Sequence, residues 1–226
     1  MVERIIVGPL HTNAYIVSTG KKECILIDPG DEMDLLIQRL EAINMTPRAV
    51  IFTHGHLDHT SAAKGILEHY REKGTMAVGV HPDDARFFGR KSKEMNRATF
   101  AMFGDAGKNY FENTYSELPK VTFFLEDDEQ ILDTDFVVIH TPGHTPGSVS
   151  LYSESRNYVF SGDTLFFKGI GKADFSESDE KKLRNSVQTR LLTLPPETRL
   201  FPGHGPSSSI ERENRDQKFS TNHSMF

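Results

Sequence analysis

Several features that mark secreted, membrane-spanning or nucleic-acid-binding proteins are missing from this chain. Its 226 residues include one cysteine, Cys24, so no disulfide can form within the chain. No run of about 20 apolar residues is present, which argues against a membrane-spanning helix. The 26 basic residues are outnumbered by 32 acidic ones, and the formal net charge of −6 disfavours a surface that binds nucleic acid.

The first ten residues contain acidic and basic side chains and lack a signal-peptide pattern. We therefore expect a cytoplasmic protein with neither a membrane nor a nucleic acid as its partner. Cys24 lies in the strand-like run 23–28 and is predicted to be a core thiol rather than a nucleophile or a metal ligand.

The order of apolar and polar residues predicts an α/β protein with one domain, residues 1–226, because no Ser/Gly/Pro-rich linker divides the chain. Strand-like runs followed by helical patterns occur twice, which suggests two sheets packed face to face with helices outside. Strands are predicted at 4–7, 13–18, 23–28, 48–52, 76–80 and 199–201, with a β-rich region at 121–160. Helices are predicted at 33–42, 60–73 and 178–192, and a polar tail follows the last strand.

Residues 83–118 form a segment that is predicted to be helical and is rich in aromatic side chains. Such a segment could be a lid beside a binding site, a helical hairpin that buries its aromatics, or a dimer contact. The hairpin is the preferred interpretation, and a homodimer stays possible.

The most informative stretch is Thr53–His59, which places three imidazoles and one carboxylate within six residues. Imidazole is the commonest protein ligand for zinc-type ions, and a carboxylate adds a charged oxygen donor. Side chains two residues apart in an extended segment point to the same side, so His54 and His56 should leave a strand end together. Asp58 and His59 should lie where the chain turns into the next helix.

Three later β-rich runs each end in a glycine followed by a side chain that can bind metal: His144, Asp163 and His204. Ligands held at strand ends are rigidly placed, and glycine lets the backbone turn sharply beside them. The full set of five imidazoles and two carboxylates exceeds what one tetrahedral ion needs. It suits two ions that share one carboxylate.

The four motifs Thr53–His59, 141–148, 161–166 and 202–206 resemble those of the metallo-β-lactamase superfamily, in the same order and along most of the chain. The residues in these motifs are most similar to those of the glyoxalase II-like hydrolases (hydroxyacylglutathione hydrolase-like), in particular to the short bacterial branch. The resemblance implies a four-layer αβ/βα sandwich with two mixed sheets and outer helices.

The resemblance also implies the roles of the metal ligands and two divalent ions, zinc first, with iron, manganese or nickel as alternatives. One ion would be bound by His54, His56 and His144, the other by Asp58, His59 and His204, and Asp163 would bridge them. It implies hydrolysis of an acyl thioester, such as a hydroxyacyl-glutathione, by a hydroxide between the ions. Asp58 would also orient that nucleophile and is the catalytic candidate.

The sequence indicates the substrate less clearly than it indicates the metal ligands. Lys172 matches a lysine that contacts glutathione in glyoxalase II, but Asp174 stands where a tyrosine is expected. The long helical C-terminal region of glyoxalase II is not expected here, since 20 residues follow Pro206 in this sequence. The run 172–175 is closer to the Arg-x-Asp-Phe of the short hydrolases and the persulfide dioxygenases.

Alternative functions therefore remain. An iron-dependent persulfide dioxygenase is the first, and a phosphodiesterase or nuclease is the second. β-Lactamase activity is not expected. Among the other residues, Asp28 resembles a buried aspartate that supports the ligand loops, and His140 is expected to support a strand end rather than bind metal.

Overall fold

The structure, a computed structural model, describes residues 1–89 and 92–217, without the side chain of Gln217. The chain divides into two compact units, one from Met1 to Phe124 and one from Leu125 onward. Residues 90 and 91 of the predicted segment 83–118 lie outside the described residues, as does the end of the predicted domain 1–226. The organisation as one domain stays a prediction.

The first unit contains a six-stranded mixed sheet, with strands adjacent in the order of the sequence. Its strands are β1 (Val2–Val7), β2 (Thr12–Ser18), β3 (Glu23–Ile27), β4 (Thr46–Ile51), β5 (Ala77–Val80) and β6 (Phe123–Phe124). The pairs β1–β2 and β2–β3 are antiparallel, and the pairs from β3 to β6 are parallel. In β3 the run from Cys24 to Ile27 is fully buried, as is usual for strands covered on both faces.

The helices of the first unit are α1 (Met33–Ala42), α2 (Leu57–Thr60), α3 (Ala63–His69), α4 (Ser92–Ala101) and α5 (Gly104–Thr114). Helix α1 has the predicted bounds and buries Leu36, Ile37 and Leu40 at helical spacing. The helix predicted at 60–73 is instead divided into α2, α3 and a 3₁₀ turn, Arg71–Lys73. The division follows from contacts with the loop after β3, whose Pro29 and Gly30 carbonyls accept hydrogen bonds from the Ala62 amide and the Ser61 hydroxyl.

The described part of the segment 83–118 is mostly helical, with a 3₁₀ helix at Pro82–Phe87 followed by α4 and α5, and residues 115–118 lie outside these helices. Phe87, Phe100 and Phe111 are buried in the core of the first unit, whereas Phe103 between the two helices is 43% exposed. The segment thus contributes most of its aromatic rings to the core, as a helical hairpin does.

The second unit contains a five-stranded mixed sheet in the order β13–β12–β9–β8–β7 and a small hairpin, β10–β11. Its strands are β7 (Val137–His140), β8 (Val149–Ser153), β9 (Tyr158–Gly162), β10 (Leu165–Phe166), β11 (Gly169–Ile170), β12 (Arg199–Pro202) and β13 (Ser208–Ser209). Strand β12 runs parallel to β9, so both strands end at the same edge of the sheet. The Gly203 amide donates to the Gly162 carbonyl at 2.8 Å and ties those two ends together.

Two helices complete the described part of the second unit. Helix α6 (Glu180–Ser186) continues into a π-helical turn, Val187–Leu191, close to the predicted bounds. Helix α7 (Ile210–Gln217) occupies the region predicted to be a polar tail, so that prediction was wrong. Among the described side chains of this helix, Ile210 and Glu213 are the buried ones, and a single apolar residue gives no periodic pattern from which a helix could be inferred.

An ion-paired turn stabilises the second unit at Asp135. Burial raises the pKa of this carboxyl, but hydrogen bonds from Ser155, Ser153 and Arg156 outweigh it and lower the pKa to about 2.

No helix in the described part of the chain has the length and apolar character needed to cross a membrane.

Candidate metal centre

In the first unit, the four ligand candidates of the Thr53–His59 run lie just beyond the end of β4. His54 and His56 leave the strand end with their ring centroids 4.8 Å apart, and His54 and His59 are 4.2 Å apart. Asp58 and His59 lie within α2 rather than before a helix, and the Asp58 Oδ2 atom is 3.5 Å from Nε2 of His59. The three imidazoles are at most 4% exposed and Asp58 is 8% exposed.

Asp28 holds this group in place from the end of β3. Its carboxylate accepts hydrogen bonds from the Thr53 amide at 2.8 Å and the Thr53 hydroxyl at 2.6 Å. Its Oδ2 atom also lies 3.0 Å from Nδ1 of His59. A carboxylate at this position makes Nδ1 the protonated nitrogen and leaves Nε2 of His59 with the lone pair that a metal needs. The supporting role predicted for Asp28 agrees with these contacts.

Two further supports of this loop were not evident from the sequence. The Thr12 hydroxyl, on β2, donates to Oδ2 of Asp58 at 3.2 Å. The fully buried Asp84 carboxylate, in the 3₁₀ helix Pro82–Phe87, accepts the Gly55 amide at 2.9 Å, between His54 and His56. Both contacts join residues far apart in sequence, and neither residue belongs to a recognisable motif.

Two tight contacts limit the residues that can occupy the loops. A Cβ atom at Gly30 would lie 1.7 Å from the Asp58 carbonyl oxygen. A Cβ atom at Gly55 would lie 2.3 Å from the Phe87 ring, whose centroid is 5.6 Å from that of His56 in an edge-on contact. Only glycine lets the backbone come this close, so these contacts fix the ligand loop against its supports.

In the second unit, His144, Asp163 and His204 come together from three separate strand ends. The Oδ2 atom of Asp163 lies 3.7 Å from Nε2 of His144 and 3.5 Å from Nε2 of His204. One carboxylate oxygen therefore lies beside two imidazole nitrogens without being in close hydrogen-bond contact with either. This arrangement is compatible with a carboxylate and two imidazoles that bind divalent metal.

The loop after β11 fixes the orientation of His144. Nδ1 of His144 donates to the Lys172 carbonyl at 2.8 Å, so Nε2 faces Asp163 with its lone pair. The Ser178 hydroxyl donates to the His144 carbonyl at 2.6 Å, and the Phe175 ring meets the imidazole edge-on at 5.5 Å between centroids. Lys172, predicted as a substrate contact, thus contributes its backbone here, while its side chain is exposed.

The donor atoms within each unit fit divalent metal ions. Two donors about 2.0–2.2 Å from one tetrahedral ion lie roughly 3.3–3.6 Å from each other. The three nitrogen–oxygen pairs, at 3.5, 3.5 and 3.7 Å, are close to that spacing. Donor atoms of His54 also lie within 4.8 Å of those of His56 and of His59. A thiolate-free set of imidazole and carboxylate suits zinc, iron, nickel or manganese.

Three other titratable groups, His140, Tyr110 and Cys24, are not among the ligand candidates. Nε2 of His140 lies 2.9 Å from the Pro146 carbonyl and braces the 141–148 loop, in line with the role expected for it. Burial, with the nearby Asp58 and Asp31 carboxylates, raises the pKa of Tyr110 in α5 well above its usual range. The phenol of Tyr110 therefore stays protonated on the Asp58 side of the first unit. Burial also raises the pKa of Cys24 to about 12.

Comparison with known proteins identifies the class. Residues 7–204 match the family model of the metallo-beta-lactamase superfamily, and the chain belongs to this superfamily. It has the metallo-β-lactamase fold, an α/β sandwich, and the superfamily binds divalent metals, as expected from the sequence.

Three relatives are similar along nearly the whole chain. The hydroxyacylglutathione hydrolase GloC of Haemophilus influenzae is 32% identical, over 96% of this chain and 97% of the relative. The B3 metallo-beta-lactamase BLEG-1 is 30% identical with a TM-score of 0.81, over 98% of this chain and 100% of that chain. TTHA1623, crystallised in a di-iron-bound form, is 34% identical with a TM-score of 0.80, over 96% and 99%. The resemblance to glyoxalase II-like hydrolases is confirmed.

Proposed function

We propose that this metallo-hydrolase is a dinuclear thioesterase that hydrolyses an acyl thioester, such as a hydroxyacyl-glutathione. The observation that carries the proposal is the position of the Asp163 oxygen beside two imidazole nitrogens, which suits a carboxylate shared by two ions. The similarity to GloC over nearly the full length of both chains supports the substrate class. A cytoplasmic location is part of the proposal, supported by the single cysteine.

The proposed ligand assignment follows the superfamily pattern, position by position. One ion is assigned to His54, His56 and His144, the other to Asp58, His59 and His204, and both to Asp163. Bound ions of this kind lower the pKa of a water molecule and polarise a carbonyl oxygen.

The residues of the chain then have distinct tasks. Asp28 and the Lys172 carbonyl hold two imidazoles in the tautomer that exposes Nε2. The Asp58 carboxylate, oriented by the Thr12 hydroxyl, accepts a hydrogen bond from the attacking water and directs its oxygen at the thioester carbon. The new C–O bond forms, the C–S bond breaks, and the proton of the water goes to the leaving sulfur. The products are a carboxylic acid and a thiol.

The role of Asp58 is tested with Asp58→Ala. We expect hydrolysis of S-lactoylglutathione to be abolished, because both the orienting carboxylate and one metal ligand are lost. Asp105→Ala, at an aspartate whose side chain is 94% exposed on α5, is the matched control and should keep wild-type turnover. Near-wild-type turnover by Asp58→Ala would contradict the mechanism.

The metal is proposed to be zinc, at two ions per chain, and iron is the alternative because TTHA1623 was crystallised in a di-iron-bound form. Elemental analysis of protein purified without added metal gives identity and stoichiometry. About two ions per chain are expected. One iron per chain, with oxygen uptake on glutathione persulfide, would instead favour a persulfide dioxygenase.

A second candidate function is β-lactam hydrolysis, because BLEG-1 is 30% identical and matches nearly the whole chain. A parallel assay of S-lactoylglutathione, a cephalosporin and a phosphodiester separates the candidates. We expect the thioester to have the highest kcat/KM. A higher value for the cephalosporin or the phosphodiester would replace the thioesterase assignment.

The Lys172 side chain is proposed to contact the thiol part of the substrate. Lys172→Ala keeps the backbone carbonyl that binds His144, so it removes the side chain without removing that support. We expect a raised KM for glutathione thioesters with little change in kcat. An unchanged KM would exclude the side chain from the binding site.

A further inference from the structure

The hairpin β10–β11 occupies the stretch of chain between one ligand candidate of the second unit and a residue that supports another. Asp163 precedes it, and Lys172, whose carbonyl binds His144, follows it. The Phe166 ring meets the His204 imidazole edge-on, with 6.1 Å between centroids. The tip at Lys168 is five residues from Asp163, which is at most about 17 Å of extended chain. A group bound at the tip is thus within the reach of a small substrate.

Helix α7 braces the tip of this hairpin. The Glu213 carboxylate is fully buried and accepts the Lys168 amide at 2.7 Å, and it also accepts the Ser208 hydroxyl. Lys168 has a φ of +60°, a backbone conformation that residues other than glycine rarely adopt, so the tip needs such support. Ile210, at the start of α7, is buried in the same apolar cluster as Leu165.

Two cations meet on one aromatic ring at the tip. The Arg212 guanidinium carbon lies 4.3 Å from the centroid of Phe167, and the Lys168 ammonium nitrogen lies 5.3 Å from it. Both side chains are exposed, and within the described residues neither forms an ion pair. A stacked guanidinium uses its face for the ring and keeps its in-plane N–H groups free to bind a carboxylate.

We propose that Lys168 and Arg212, held on Phe167 by α7, bind a carboxylate on the thiol part of the substrate. The assignment rests on the proposed thioesterase function and specifies its substrate as a thioester whose thiol carries a carboxylate. The planar fork of Arg212 matches the two oxygens of a carboxylate, and Lys168 adds a second positive charge. The two cations therefore select for charge at the end of the substrate away from the scissile bond.

The test measures binding without hydrolysis. S-methylglutathione and its diethyl ester, in which both carboxylates are capped, are titrated into the metal-loaded protein and followed by calorimetry. We expect the acid to bind roughly tenfold more tightly than the ester. The single variants Lys168→Gln and Arg212→Gln should each reduce that ratio about two- to fivefold, as for exposed charge pairs, and the double variant should bring it near one.

Two further variants separate charge from structure. Lys181→Gln removes an exposed lysine on α6 and should leave the ratio unchanged. Arg212→Lys keeps the charge but loses the planar fork, so it should retain only part of the ratio. Thermal unfolding of every variant checks the fold. The proposal is overturned by equal binding of acid and ester to the wild type, by no measurable binding of S-methylglutathione, or by a double variant that keeps the ratio.

The binding test of the anion site can fail or succeed independently of the hydrolysis test of the proposed thioesterase. A ratio that depends on Lys168 and Arg212 establishes the anion site even if no thioester is hydrolysed. Hydrolysis of thioesters with an unaffected ratio supports the thioesterase and excludes these two residues.

Discussion

Gly171 is a position where one added methyl group should disturb the metal cluster directly. A Cβ atom there would lie 1.8 Å from the Asp163 carbonyl oxygen and 3.5 Å from Nδ1 of His144. Gly171 also donates its amide to the Thr164 carbonyl at 3.3 Å, so its backbone is tied to the chain just after Asp163. The variant Gly171→Ala therefore forces the segment that carries Asp163 away from the segment that supports His144.

The size of the disturbance follows from the contact. A separation of 1.8 Å must grow to at least 3.0 Å, the lower limit of real Cβ contacts, so the backbone has to move by about 1.2 Å. The next residue, Lys172, carries the carbonyl that orients His144, and it moves with Gly171. Loss of such a support typically costs about 10- to 100-fold in metal affinity, and a misplacement of about 1 Å can cost 10²-fold in rate.

Metal content by elemental analysis and kcat with S-lactoylglutathione are measured on Gly171→Ala, with Gly169→Ala as the control. Gly169 lies in the same hairpin, and a Cβ atom there meets nothing within 4 Å. We expect Gly171→Ala to lose metal and about 100-fold in kcat, and Gly169→Ala to behave like the wild type. Full metal content and normal turnover in Gly171→Ala would refute the reasoning.

Three further predictions concern supporting residues. Asp28→Ala removes the acceptor of His59 Nδ1, and chelator competition should show a metal affinity lowered about 10- to 100-fold; an unchanged affinity would contradict the support. Asp84→Ala leaves the Gly55 amide without this acceptor, and unfolding should show a loss of about 1–3 kcal/mol; a loss near zero would contradict it. Asp135 has a folded pKa of about 2, below its unfolded value near 3.9, so its stabilisation is present above about pH 4 and is lost as the pH falls through about 2. The difference in Tm between Asp135→Asn and the wild type should shrink over that range, and a constant difference would contradict the assignment.

The residues that sequence could predict are those whose chemistry is local. The spacing of His54, His56 and their neighbours predicts metal ligands, and apolar periodicity predicts helix α1. Both signals are carried by residues that are close together in the sequence. The carboxylate of Asp28 was recognisable from the motif in which it stands.

The rest depends on contacts between distant parts of the chain. Thr12 and Asp84 are ordinary polar residues until folding brings them to Asp58 and Gly55. The Lys172 side chain was predicted to contact the substrate, yet the contact made to His144 comes from the Lys172 backbone carbonyl, which every residue type possesses. Helix α7 follows from tertiary contacts of Glu213 that no periodicity reveals.

The burial of Cys24 has a chemical consequence under the proposed thioesterase function. Only the thiolate attacks an acyl group or is readily oxidised, and a pKa of about 12 leaves about one thiol in 10⁵ ionised at pH 7. The side chain is also fully enclosed in β3. Acylation of this residue by exchange with a thioester is therefore not expected, and Cys24 offers oxidants no exposed sulfhydryl. A cysteine introduced elsewhere on the surface would be the sole site for thiol-directed labels.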